Sequence, residues 1–227
     1  MQEPFSIAID GPSGAGKSSV ARAVARELGA MYLDTGAMYR AVGLYMIKHG
    51  IPLDDTRQIA ENCRFADVSV RYEGGRQKIY LAGEDVSEAI RTAQASLAAS
   101  SVSVVPEVRR RMVDLQREIA RGHCVVMDGR DIGTHVLPDA TLKIFLTASA
   151  PVRARRRHSE LLAKGMNEPY EKVLRELIQR DETDTRRSAS PLRKAEDAVE
   201  VDSSELSLSE VVEKIVSLFR AIERGKK

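Results

Sequence analysis

Short apolar runs recur along this chain, and each gives way to polar or turn residues and then to a stretch with helical spacing. The first, Phe5-Ser6-Ile7-Ala8-Ile9, ends at Asp10 and reads as a buried strand. Beyond Lys17, the residues Val20, Ala21, Val24, Ala25 and Leu28 fall on one helical face, and Gly29 closes the run. Similar runs at Met31-Tyr32-Leu33, Cys124-Val125-Val126-Met127, Leu142-Lys143-Ile144-Phe145-Leu146 and Ala198-Val199-Glu200-Val201 bring the predicted strands to five. The last helix opens at Ser207 with Glu210 three residues on, the spacing of a capping box. It continues with Val211, Val212, Ile215, Phe219 and Ile222 on one stripe. Strands alternating with helices predict an α/β fold around a five-stranded parallel sheet flanked by helices.

Two regions break the alternation. Val68 to Tyr72 and Lys78 to Leu81 flank Gly74-Gly75 and predict a hairpin, a small β insertion between core elements. Residues 153 to 168 pack Arg153, Arg155, Arg156 and Arg157 together ahead of Lys164-Gly165. A flap carrying positive charge over phosphates has this composition, and so does an ordinary solvated helix face.

Composition narrows the field of functions. The 227 residues, 43% hydrophobic and 30% charged, suit one soluble α/β domain with insertions. A net charge of +2, aromatic content of 4% and no Trp argue against a nucleic-acid binder. Cys63 and Cys124 lack metal-ligand spacing and read as small buried apolar residues. Neither a leader pattern nor a membrane-length apolar run stands out, so a cytoplasmic protein with no membrane partner is expected. A monomer is the default expectation.

The chemistry concentrates at strand ends. Gly11-Pro12-Ser13-Gly14-Ala15-Gly16-Lys17-Ser18, followed by Ser19, fits G-x-x-x-x-G-K-[ST] between a strand and a helix. In that setting backbone amides and the helix N-terminus wrap a polyphosphate, so a nucleoside triphosphate is the expected ligand. Lys17 would bring its charge to the outer phosphates and Ser18 a hydroxyl to Mg²⁺. Asp128, at the tip of its strand, suits the shell of the same ion. Arg130 would face the cleft between strand ends, while Asp131 is a cap or a functional acid. At Leu33 to Arg40, Asp34 or Thr35 can cap a helix, and Arg40 lies one turn beyond Gly36. Arg180, Asp184 and Arg187 share a helical face, either solvated or turned toward phosphate. Ser100 and Arg109 are ambiguous taken singly.

Jointly these pieces resemble the bacterial cytidylate kinases, of the nucleoside monophosphate kinase family, over about residues 5 to 220. The resemblance is carried by IDGPSGAGKSS (9–19), LDTGAMYR (33–40), GEDVSEAIRT (83–92), MDGRDIGT (127–134) and RDETDTRR (180–187). It implies a P-loop NTPase fold with a discontinuous core (1–36, 104–152 and 169–227), a monophosphate-binding domain (37–103) and a lid (153–168). It also implies transfer of the γ-phosphoryl group from Mg·ATP to CMP or dCMP. On that likeness Thr35, Arg40, Arg130 and Arg187 would hold the acceptor phosphate, and Ser100 and Arg109 would read the cytosine edge. Asp131 would lie close to the acceptor nucleotide. Arg180 and Asp184 would meet sugar and base-side groups, and Arg153 and Arg157 would close over the donor. Two departures are mild: Thr35 stands where Ser is frequent, and the loop ends Lys-Ser-Ser where some relatives have Lys-Gly-Thr.

The rival readings are a kinase of UMP, AMP or shikimate on the same scaffold, and a nucleotide-dependent switch. A GTPase switch would carry an Asn-Lys-x-Asp motif, which is absent from the sequence.

Overall fold

The structure is a computed structural model that describes residues 4–163, 165–187 and 189–225. Lys164, part of the expected flap, lies outside the described residues. The chain divides into two compact units, 1–30 with 124–227, and 31–123.

The first unit is built on parallel strands. β1 (Ser6–Asp10) pairs with β6 (Val125–Gly129) on one side and with β7 (Leu142–Thr147) on the other, and β7 pairs with β8 (Val199–Asp202). With β2 (Met31–Asp34) the sheet has five strands in the order β2-β6-β1-β7-β8, as the sequence predicts. Ile7, Ala8, Ile9, Val125, Val126, Met127, Ile144 and Leu146 are buried, the near-continuous apolar run expected of strands covered on both faces. Helices α1 (Lys17–Leu28) and α8 (Leu208–Gly225) bring Val20, Ala21 and Val24, and Val211, Ile215 and Phe219, into that core. The Phe5 and Phe219 rings meet at 4.4 Å.

The predicted capping box forms at α8. The Glu210 carboxylate accepts from Ser207 N at 2.8 Å, and Glu210 N donates to Ser207 Oγ at 3.3 Å. Both α6 (Ala150–Ala163) and α7 (Tyr170–Arg186) are helices, packed through Ala154, Leu161, Val173 and Leu177. The four clustered arginines therefore sit on regular helix.

The second unit carries β2, α2 (Thr35–Lys48), α3 (Thr56–Asn62), α4 (Ala93–Ser103) and α5 (Pro106–Ala120). Its three-stranded sheet is β3 (Val68–Glu73), β4 (Arg76–Leu81) and β5 (Glu84–Asp85). The expected hairpin is β3–β4, turned by Gly74 and Gly75 at φ of 57° and 73°, the two positive angles of a type I′ turn. Cys63 is buried in this unit; Cys124, in the first, is only partly so.

Candidate active site

Loop 11–16 leaves β1 and enters α1, and its shape is fixed by close contact with neighbouring strand ends. A side chain on Gly11 would place its Cβ 1.9 Å from the Leu146 carbonyl oxygen, so no other residue fits there without moving β7. Lys17 is buried, and its ammonium donates to Pro12 O at 2.6 Å across the loop. Burial pushes this ammonium well below its ordinary pKa. Arg130 and Arg180 add to that effect, and Asp128 and Asp184 oppose it. A phosphate brought to Lys17 would favour its charged form, as the two carboxylates do.

Ser18 Oγ donates to Asp128 Oδ2 at 2.7 Å, joining the first turn of α1 to the end of β6. Both donors are hard oxygens, and Mg²⁺ commonly takes one or two such protein ligands beside phosphate and water. The pair fits that ion.

Two arginines near the loop are matched with acids. Arg130 Nε donates to Asp184 Oδ2 at 2.7 Å, and Arg187 Nη2 lies 3.6 Å from Asp131 Oδ1. Burial alone would raise the Asp184 carboxyl; the charge and hydrogen bond of Arg130, with Arg180 and Arg187 nearby, outweigh it and hold the carboxyl below its ordinary value. The face Arg180–Asp184–Arg187 is thus turned inward rather than solvated. Asp131 stands before the π-helical turn Ile132–Val136 and makes no side-chain bond as its N-cap.

Arg153 and Arg157 differ. Arg153 is buried and braces the phosphate loop: it donates to Ser13 O at 2.9 Å and to Ala148 O at 2.8 Å, and pairs with Asp181 at 2.7 Å. Arg157 is partly exposed and meets Glu160 at 3.3 Å.

Three supporting residues escaped the sequence reading. Ser203, buried after β8, donates to Thr147 O at 3.1 Å and lies 3.4 Å from Ala15 O in the loop, while Arg156 donates to its carbonyl at 2.6 Å. Asp10 accepts from Ile132 N at 2.8 Å and Gly133 N at 2.7 Å, and so sets the π-helical turn Ile132–Val136 that follows Asp131. Burial, with Asp131 contributing, raises the Asp10 pKa to about 6 despite those two bonds. Lys143, tied to Asp197 at 2.7 Å, lies under the same turn, where a Cβ on Gly133 would come within 3.2 Å of its stem. An acid ending a strand was the available signal for Asp10; Ser203 and Lys143 carried none.

The second unit assembles its own group. Asp34, not Thr35, caps α2, accepting from Ala37 N at 2.8 Å; its other oxygen holds Arg40 Nη2 at 2.9 Å. Thr35 is buried beside them. The Nε of Arg40 is also buried and has no hydrogen-bond partner among the described residues, a donor left for an anion. Arg109 is buried on α5, donates to Ser103 O at 3.4 Å and lies 5.9 Å from the Tyr39 ring centre. Ser103 Oγ in turn donates to Ser100 O at 2.9 Å, and Ser100 Oγ to Ser96 O at 3.4 Å. The structure thus brings Thr35 and Arg40 together at one helix start, and links Ser100 to Arg109 through Ser103.

A glycine loop closing on a lysine, a serine–aspartate pair beside it and a parallel sheet behind define a P-loop nucleotide-binding α/β protein. A gluconokinase of Sinorhizobium meliloti has this fold, with a TM-score of 0.51 at 21% identity over 99% of this chain and 97% of that one. The family model for cytidylate kinase matches residues 7–221. A cytidylate kinase of Caldicellulosiruptor bescii is 49% identical over 98% of both chains. That of Carboxydothermus hydrogenoformans is 53% identical over 94% of this chain and 96% of its own. The chain belongs to the cytidylate kinase family.

Proposed function

We propose that this protein transfers the γ-phosphoryl group of ATP to CMP or dCMP, giving ADP and CDP or dCDP. The observation that carries the reading is the buried ionic set of the first unit: Lys17 in the loop, Ser18 bonded to Asp128, Arg130 paired with Asp184 and Arg187 with Asp131. Phosphoryl transfer asks mainly for positioning and for stabilisation of the negative charge on the transferring group, and this set supplies preorganised cationic donors for both. No general base is needed, because the attacking group is already a phosphate oxyanion.

Loop residues 11–19 would cradle the donor triphosphate, with Lys17 at its outer phosphates. Mg²⁺, held through Ser18 and Asp128, would neutralise charge on the phosphate oxygens. For the acceptor phosphate the roles fall to Thr35, Arg40, Arg130 and Arg187, whose planar guanidinium groups match phosphate oxygens in pairs. Ser100 and Arg109 would read the cytosine edge, Asp131 would adjoin the acceptor nucleotide, and Arg180 and Asp184 would contact its sugar and base side. Residues 37–103 would act as the acceptor domain on the core 1–36, 104–152 and 169–227. Residues 153–168 would act as a lid, with Arg157 reaching the donor and Arg153 steadying the loop beneath it. A cytoplasmic monomer using these small-molecule substrates completes the reading.

One coupled assay tests it: ATP and Mg²⁺ with CMP, dCMP, UMP and AMP in turn. Turnover should be confined largely to CMP and dCMP. Equal rates with UMP and CMP would remove Ser100 and Arg109 from base recognition.

A further inference from the structure

β2 ends the sheet order, so among the described residues one of its edges has no neighbouring strand. Residues two apart in a strand direct their main-chain groups to the same edge, and an unmet edge needs partners. At Tyr32 and Asp34 those partners come from the hairpin. Tyr72 Oη donates to Tyr32 O at 2.9 Å, Asp34 N donates to Gln77 Oε1 at 2.7 Å, and Gln77 Nε2 donates to Asp34 O at 3.3 Å. One carboxamide therefore answers both main-chain groups of Asp34, as a paired strand would. Tyr72 and Gln77 are themselves cross-strand partners in the β3–β4 ladder, so the hairpin presents them together.

The residue gripped in this way is the one that organises the acceptor junction. The Asp34 carboxylate caps α2 with one oxygen and holds Arg40 with the other. Between them, a Cβ on Gly36 would lie 3.2 Å from both Arg40 Nη1 and Asp34 Oδ1, so the guanidinium lies close across the glycine. Hairpin, Asp34 main chain, Asp34 carboxylate and Arg40 form one continuous set of contacts. Burial raises the Tyr72 hydroxyl to about 12, which keeps it a donor throughout the neutral range.

We propose that Gln77 and Tyr72 are positioning residues for the acceptor phosphate: through them the β insertion locks the main chain of β2, and thereby the orientation of Arg40. The proposal rests on the reading that Arg40 binds that phosphate. It gives the hairpin a role in turnover that a mere stitch in the fold would not have.

Steady-state kinetics of the full chain with ATP and CMP, beside thermal unfolding, test it on Gln77→Ala, Gln77→Glu, Tyr72→Phe and Arg40→Ala. Gln77→Ala should raise KM for CMP about tenfold and Tyr72→Phe about threefold, with KM for ATP held within about twofold in both. Gln77→Glu keeps the acceptor for Asp34 N and loses the donor to Asp34 O, so its KM for CMP should fall between wild type and Gln77→Ala. Should Gln77→Ala not fold, Tyr72→Phe, which removes only a hydroxyl, decides the matter. Lowered thermal stability with an unchanged KM for CMP in the hairpin variants, while Arg40→Ala raises it, would overturn the proposal and leave the acceptor reading standing. An unchanged KM for CMP in Arg40→Ala would overturn that reading itself.

Discussion

The charged groups around the phosphate loop and the Arg40–Asp34 pair of the second unit handle charge in different ways. In the first, Lys17, Arg153 and the Arg187–Asp131 pair are almost wholly buried, with side-chain exposures of 4–8% in that pair. In the second, the Arg40–Asp34 pair is 25% and 21% exposed and is steadied by a hairpin gripping the main chain next to it. A buried charge costs free energy unless every partner is present, so the first arrangement is stiff and intolerant of loss. A partly exposed pair is screened and contributes little to stability, so its geometry must be set by something else. Under the proposed function, the contrast suits a phosphate cradle that keeps its shape and an acceptor-phosphate junction that depends on a local prop.

The largest expected effect breaks the first side. Lys17→Ala should lower kcat by about a hundredfold or more, in keeping with the loss of one preorganised donor. Near-normal CMP phosphorylation by that variant would remove Lys17 from its role. The next sharpens the contrast directly. Asp181→Ala leaves Arg153 buried without its carboxylate and should cost about 3 kcal/mol in chemical denaturation. Arg40→Ala should cost under about 1 kcal/mol. Equal losses would erase the distinction.

The last effect is a pH dependence and concerns Asp10. Its native carboxyl keeps a proton up to a pKa of about 6, against 3.8 for an ordinary Asp, so the folded state binds more protons between those values. Its contribution to stability is therefore fully present below about pH 4 and is lost as pH rises through about 6. Relative to Asp10→Asn, wild type should lose about 2 kcal/mol between about pH 4 and pH 7 by urea unfolding. A pH-independent difference would show that burial does not govern this acid.

Much of the fold was legible because its signals are local. The five apolar runs, the glycine loop before α1, the Gly-Gly hairpin and the capping box at Ser207 each follow from neighbouring residues, and each was found where the pattern put it. The ambiguous residues were those whose meaning depends on a distant partner. Asp131 reads equally as a cap until Arg187, far along the chain, is placed 3.6 Å away. The alternating charges of 180–187 resemble a solvated face until Arg130 meets Asp184. Arg153 resembles its neighbours in the basic run, yet it alone of that run is buried.

The sequence by itself determined the alternation of strand and helix, the phosphate loop and the family likeness, because short-range periodicity and backbone requirements are written in adjacent residues. Only the tertiary structure decided which acid neutralises which arginine, that Asp10 sets the turn after Asp131, and that a glutamine in the hairpin answers the main chain of Asp34. Such pairings depend on which groups share a desolvated volume, and spacing along the chain carries no measure of that.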